Sequence, residues 1–202
     1  MADDLGILLP TRKIGDEKFH INGEPIGFDV LSFWQWSASD LVSNATRGRL
    51  AEFLVAQALG IAMNVRDEWR AYDLEYAADL RIEVKSAAYL QGWSQRKLSD
   101  INFSISKTRK WEAETNRLSS EVKRQADIYI FALLFHKDKI TLEPLNLGQW
   151  EFYVLSTSIL NERKSGQKSI SLKSLQELAS PVRYDELKQV MENLAKNREV
   201  DA

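Results

Sequence analysis

Apolar and polar positions alternate with two different periods along this chain, and the change of period marks its elements. From Ser39 the segment "SASDLVSNATRGRLAEFLVAQALGI" repeats at helical spacing, with start signals between Ser39 and Ser43 and a stop at Gly60. Leu50, Phe53, Leu54, Gln57, Ala58 and Ile61 form the stripe expected to face a core. On its other side Gly48, Val55, Ala56 and Leu59 surround Glu52, a carboxylate in small apolar company. Such a group is costly to bury unless it is paired, protonated or bound to a cation.

A period of two follows. Glu68–Tyr76 and Leu80–Lys85 read as strands of an antiparallel hairpin turning about residue 78. A strand is expected at Ile101–Ser106, then a loop or helix through the charged stretch "KTRKWEAETNRLSSEVKRQ". "ADIYIFALLF" at 126–135 and "WEFYVLSTSI" at 150–159 are nearly continuous apolar runs, the pattern of strands buried on both faces, and they mark the sheet centre. The tail offers a turn at "NERKSGQKS", a short strand at Ile170–Leu172 and an amphipathic helix from Pro181 to Leu194, whose Leu187, Val190, Met191 and Leu194 read as packing residues. Before all of this, residues 1 to about 30 read as a loose arm or a small hairpin around Asn22-Gly23, followed by the aromatic stretch Phe28–Trp36.

The expectation is a single α/β domain over 1–202, with a central mixed β-sheet flanked by helices. Its parts are an N-terminal arm (1–38), a core that carries the chemistry (39–135), and a sheet extension with a C-terminal helix (136–202). A hydrophobic fraction of 44% and a charged fraction of 28% are a globular composition. The formal net charge of -2 argues against a surface that is basic throughout. The chain has no cysteine, which removes disulfides, thiolate catalysis and cysteine zinc sites. No apolar run approaches the roughly 18 residues of a membrane span, so a cytoplasmic protein without membrane contact is expected. The two histidines, His20 and His136, lie far apart in sequence and suggest no histidine metal centre.

The chemistry concentrates in "DLRIEVKSAAYLQGW", residues 79–93. On a strand Glu83 and Lys85 project from one face, beside Arg81. A hairpin turning about residue 78 sets Asp73 opposite Glu83. Two facing carboxylates repel unless a cation lies between them, and Mg²⁺ commonly takes one or two protein carboxylates, with waters and phosphate oxygens completing its shell. Asp73 and Glu83 match that demand for Mg²⁺ (or Mn²⁺), Glu52 could assist, and Lys85 suits electrostatic stabilisation of a phosphoryl group. Glu75 and Asp79 are competing acids, because a shifted hairpin would set one of them against Glu83.

These residues resemble the PD-(D/E)XK, or restriction-endonuclease-like, nuclease superfamily. Asp73 stands for its first acid, Glu83-Val84-Lys85 for the (D/E)XK half, and Glu52 for the acid many members carry on their first core helix; Tyr72 replaces the motif's proline. The order of elements over roughly residues 40 to 135 is similar too, and "IEVKSAAYLQ" with "LEPLNLGQWEFYVL" extends the likeness to bacterial members over most of the chain. The resemblance implies a restriction-endonuclease-like fold and a metal-dependent phosphodiesterase acting on nucleic acid, with DNA the expected substrate. It further implies that the Val84 backbone carbonyl joins Asp73 and Glu83 as a metal ligand, that Lys85 positions the attacking water with Glu52 assisting, and that Gln91 orients a water or a phosphate. Gln91 also reads as an ordinary polar loop residue.

Between Arg96 and Arg124 eight basic residues stand against four acidic ones, with Trp93 and Trp111 nearby. Arg96, Lys97, Lys107, Arg109 and Lys110 are the candidate nucleic-acid contacts, and a solvated helix with mixed ion pairs is the alternative. A homodimer is compatible with this picture, since two sites could cut both strands of a duplex. The competing functional readings are a non-catalytic nucleic-acid-binding module on the same fold, and an interaction protein whose E-x-K is a surface ion pair.

Overall fold

The computed structural model describes residues 8–77, 79–112 and 116–200; the hairpin tip at residue 78, Glu114 of the basic stretch and the first seven residues of the arm lie outside them. Two strands, β1 (Lys18–Ile21) and β2 (Glu24–Asp29), form an antiparallel hairpin. Its turn residues Asn22 and Gly23 both have positive φ (52° and 93°), the backbone that matches the twist of a two-residue hairpin. Helix α1 (Val30–Ala38) follows directly. Asp29 caps it, its carboxylate accepting from the Ser32 N–H (2.9 Å) and Oγ (2.7 Å). The aromatic run thus forms a helix that its lack of a polar face had hidden.

Helix α2 (Asn44–Leu59) begins at the Ser43 cap and ends at Gly60, whose left-handed backbone (φ 73°) returns its N–H to the carbonyls of Ala56 and Gln57. The buried face of α2 is Ala51, Leu54, Val55, Ala56 and Leu59, with Arg47. The expected stripe is therefore rotated: Phe53 is 52% exposed and Gln57 lies in water. Small side chains let the helix approach the sheet closely, and the bulky Phe53 is turned outward.

Strands β3 (Leu74–Tyr76) and β4 (Leu80–Ala88) form the expected hairpin, with β3 much shorter than the sequence suggested. After β5 (Asn102–Ser104) the charged stretch folds as a two-stranded ribbon, β6 (Trp111–Glu112) against β7 (Arg117–Leu118), extended by a bridge between Thr108 and Lys123. A loop or helix was expected there. Strand β8 (Ile128–Leu134) is buried at every position, and β9 (Trp150–Ser156) lies beside it. The chain closes with α3 (Thr157–Arg163), β10 (Ser169–Ser171), α4 (Leu172–Gln176) and α5 (Leu187–Val200).

The central sheet has the order β3-β4-β8-β9, antiparallel, parallel and antiparallel in turn, the mixed α/β architecture expected from the sequence. One face carries α2 and α5, packing Val55, Leu59, Leu187 and Met191 on Ile82, Ile130 and Phe152. The other face carries β5 paired with β10, together with α3 and α4, and packs Phe103, Ile105 and Leu160 on Phe131 and Tyr153. Covering on both faces explains why β8 reads as an unbroken apolar run. Among the described residues no helix is long and apolar enough to cross a membrane.

Candidate active site

The edge of β4 next to β3 is where the sequence-identified groups meet. The register pairs Leu74 with Ile82, Glu75 with Arg81 and Tyr76 with Leu80. Continuing it by one residue sets Asp73 opposite Glu83 and leaves Glu75 and Asp79 elsewhere. Glu75 is spent on Arg70 Nη1 (3.0 Å) and the Tyr72 hydroxyl (2.7 Å), and Asp79 sits at the turn with φ 61°.

Because β3 starts only at Leu74, the Val84 N–H lies beyond its ladder. The Asp73 carboxylate takes that N–H at 2.7 Å. Strand geometry points the N–H and C=O of one residue to the same edge, so the Val84 carbonyl faces the Asp73 side as well. The Ile82 carbonyl, which accepts from the Asp73 N–H at 3.0 Å, confirms that orientation for the even-numbered residues.

Glu83 and Lys85 project from the face of β4 opposite Ile82 and Val84 and form an ion pair with each other. Tyr129, paired with Glu83 across β4 and β8, is buried beside them. Burial, and then the charge of Glu83, push its phenol up to about 12, with Arg124 opposing. Asp73 is more strongly perturbed. Its carboxyl is pushed up to about 7, by burial first and then by Glu83 and Glu52, with the Val84 N–H and Lys85 pulling the other way. Two like charges therefore face a half-buried acid, and Lys85 offsets them in part.

Glu52 approaches from α2, but its carboxylate is clamped by Arg66, which reaches it through Nε and through Nη2 (3.1 Å). Arg66 comes from the loop after α2 and also contacts Glu68 at 3.2 Å. Glu52, Arg66 and Asp73 line one open cleft of about 610 Å³, together with Arg49, Phe53 and Arg70. Among the described residues no group of three or more His, Cys, Asp or Glu side chains is arranged to hold a metal ion. The donor set at the strand edge is instead two carboxylates and a carbonyl, which fits Mg²⁺ with waters and phosphate oxygens as its other ligands.

Gln91 lies apart from this cluster, with its polar atoms engaged. Its Nε2 donates to the Ala88 carbonyl (2.8 Å) and Ser99 Oγ (3.1 Å), and its Oε1 accepts from Arg47 Nη1 (3.3 Å). Arg47, only 4% exposed, also donates to the Val42 carbonyl, Asn44 and Ser86, so it ties the start of α2 to the end of β4. Of the basic candidates, Lys97 is paired with Asp100 (3.0 Å) and Arg96 is exposed. Lys107, Arg109 and Lys110 are exposed at the base of the ribbon, just before β6, without a carboxylate partner among the described side chains. Arg124, counted with them by charge, is buried and donates to the carbonyls of Ile105, Lys164 and Gln167 and to Asn161.

A family model described as bacteriophage T4 endonuclease IV matches residues 29–174. The chain belongs to that family. No curated protein matches the chain. The endonuclease IV match runs from the N-cap of α1 to within α4, and so spans α2, the β3–β4 hairpin, the ribbon and the central sheet. Membership supports a nucleic-acid endonuclease.

Sequence reasoning missed several residues of this candidate site. Tyr129 was readable as the one hydroxyl inside the run "DIYIFALL", although its approach to Glu83 depends on a parallel pairing between strands far apart in sequence. Arg66 left no local signal, because it acts on Glu52 14 residues away, and neither did the reach of Arg47 to Ser86 and Gln91, 39 and 44 residues on.

Proposed function

We propose that the chain is a Mg²⁺-dependent endonuclease acting on DNA, built on a PD-(D/E)XK-type site. The observation that carries this reading is Asp73 held on the Val84 N–H, half-buried and facing Glu83 across the end of β3. Asp73, Glu83 and the Val84 carbonyl would hold the ion. A divalent cation bound there would polarise a phosphoryl oxygen and acidify a water.

The chain's own groups do the rest. Lys85 places its ammonium on the Glu83 side of the site, where it would offset negative charge developing on the transferred phosphoryl oxygens. Asp73 and Glu83 would hold a water within reach of the phosphorus and accept hydrogen bonds from it. Glu52 would act once its carboxylate exchanged Arg66 for a water. The exposed cations of the ribbon would carry the nucleic-acid backbone, a role for which Lys107, Arg109 and Lys110 are open to solvent.

The test is cleavage of supercoiled, linear and single-stranded DNA, and of RNA, in Mg²⁺, in Mn²⁺ and in EDTA, by the wild-type chain and by Lys85→Ala. The expected result is cleavage of DNA that requires the ion and is lost in the variant. Equal cleavage by the variant, or cleavage that persists in EDTA, would refute this assignment.

A further inference from the structure

Apart from Arg12, which donates to the Met63 carbonyl (3.0 Å) at the rim of the cleft, the N-terminal arm has no place in the site described above, and it breaks the usual rule of burial. In α1 no residue is buried, and neither core cluster contains a residue of the hairpin or of α1. Yet the arm is well built internally. Gly15 (φ 106°) lies under the Trp34 ring, Glu17 accepts from the N–H groups of Ile14 and Gly15, and Lys18 pairs with Asp29 at 2.8 Å. A lone two-stranded hairpin and a nine-residue helix are each marginal in water, so this unit needs a cover.

The arm exposes many large apolar side chains. Phe19, Phe28, Phe33, Trp34 and Trp36 are 40%, 48%, 50%, 39% and 86% exposed. With aromatic side chains of about 150–250 Å² each, that leaves roughly 400–650 Å² of ring surface in water. Ile21 and Leu31, also exposed, add to it. A stable complex needs about 800 Å² from each partner; Phe33 and Trp36 on one face of α1 supply roughly 200–340 Å² of it, and the hairpin rings and neighbouring apolar side chains of the arm would supply the rest.

Charge selects the occupant. Helix α1, "VLSFWQWSA", has no ionisable side chain, so two copies can meet about a two-fold axis without opposing like charges. Nucleic acid is disfavoured because the hairpin's Lys18 is already paired with Asp29. A lipid surface is disfavoured because interfacial helices carry Lys or Arg on their polar face, and α1 has none. The chain's own cleft is ringed by Arg49, Arg66 and Arg70, charges that docking of the arm would bury.

We propose that the chain forms a homodimer in which the arm of one copy packs on the arm of the other, through the face of α1 that carries Phe33, Trp36 and Ser37. The assignment does not depend on the nuclease reading. Light scattering coupled to size exclusion, on the full chain at micromolar concentration, should return twice the chain mass, and Phe33→Glu with Trp36→Glu should return the single mass.

The absence of cysteine provides a second readout that leaves the apolar face intact. Ser37→Cys should form a covalent dimer with a short bismaleimide, whereas Lys139→Cys on the exposed loop after β8 should not. A wild-type chain that is monomeric throughout would overturn the proposal. So would a dimer that survives both glutamates and fails to cross-link through residue 37, or a monomer whose arm variants instead lose binding to anionic vesicles or to a DNA fragment.

Discussion

Replacing Asp73 by Asn should make the metal-free protein more stable. In the folded chain Asp73 keeps its proton up to about pH 7, against an ordinary value of 3.8. The unfolded chain therefore releases this proton first, and between about pH 4 and 7 the folded state binds more protons. Stability falls as pH rises through that window and stays reduced above it. A difference of about three pKa units corresponds to on the order of 4 kcal/mol. Asn retains an oxygen for the Val84 N–H and removes the charge opposed by Glu83 and Glu52, so about 2–4 kcal/mol of that penalty should be recovered near pH 8. Urea unfolding in EDTA measures it: the midpoint of Asp73→Asn should lie above wild type near pH 8 and converge with it toward pH 4. Added Mg²⁺ should then stabilise the wild type, by about 2.7 kcal/mol at a hundredfold excess over Kd, and leave the variant unmoved. Coincident midpoints near pH 8, or a less stable variant, would show that no uncompensated charge faces Asp73 and would remove the physical basis for the ion site.

Gln91→Ala should cost about 1–3 kcal/mol in urea unfolding, because Arg47 Nη1 loses one of its acceptors in a buried setting, while turnover per folded molecule stays unchanged. A fall in kcat without loss of stability would return Gln91 to a role in orienting water or phosphate. Arg124→Met should cost about 3 kcal/mol, since the carbonyls of Ile105, Lys164 and Gln167 lose their donor, and it should leave the salt dependence of nucleic-acid binding as it was. Replacing Lys107, Arg109 and Lys110 together by Gln should lower the slope of log K against log salt by roughly 2–3, measured by fluorescence anisotropy. An unchanged slope would place the backbone contacts elsewhere.

Some of the fold was legible because its signals are local. Ser43 and Gly60 bound α2, Asn22-Gly23 turns the first hairpin, and β8 shows its double burial in seven consecutive apolar positions. Other elements were hidden for identifiable reasons. Helix α1 has no charged residue, and its polar residues Ser32, Gln35 and Ser37 do not gather on one face, so no period could be read from it. The ribbon was obscured by charge, since its strands are only two residues long and the alternation needed to recognise a strand is absent. In α2 the large Phe53 outweighed Ala51 and Val55 in the sequence pattern, whereas a tight helix–sheet contact favours the smaller side chains.

The pairing of Asp73 with Glu83 was legible because a hairpin register follows from the position of its turn; the clamp on Glu52 and the neighbourhood of Tyr129 were not, because they depend on contacts between distant segments. What joins both sets is the shortness of β3. Had that strand continued upstream of Leu74, its backbone would have taken the Val84 N–H and C=O, and the sheet edge would have been paired and inert. By stopping at Leu74 it leaves the edge of β4 from Val84 onward outside its ladder. A free edge of this kind invites pairing with another chain unless something charged guards it. Here Asp73, Glu83 and Lys85 stand at it, so the groups that guard the edge are also those that would bind an ion and a phosphate.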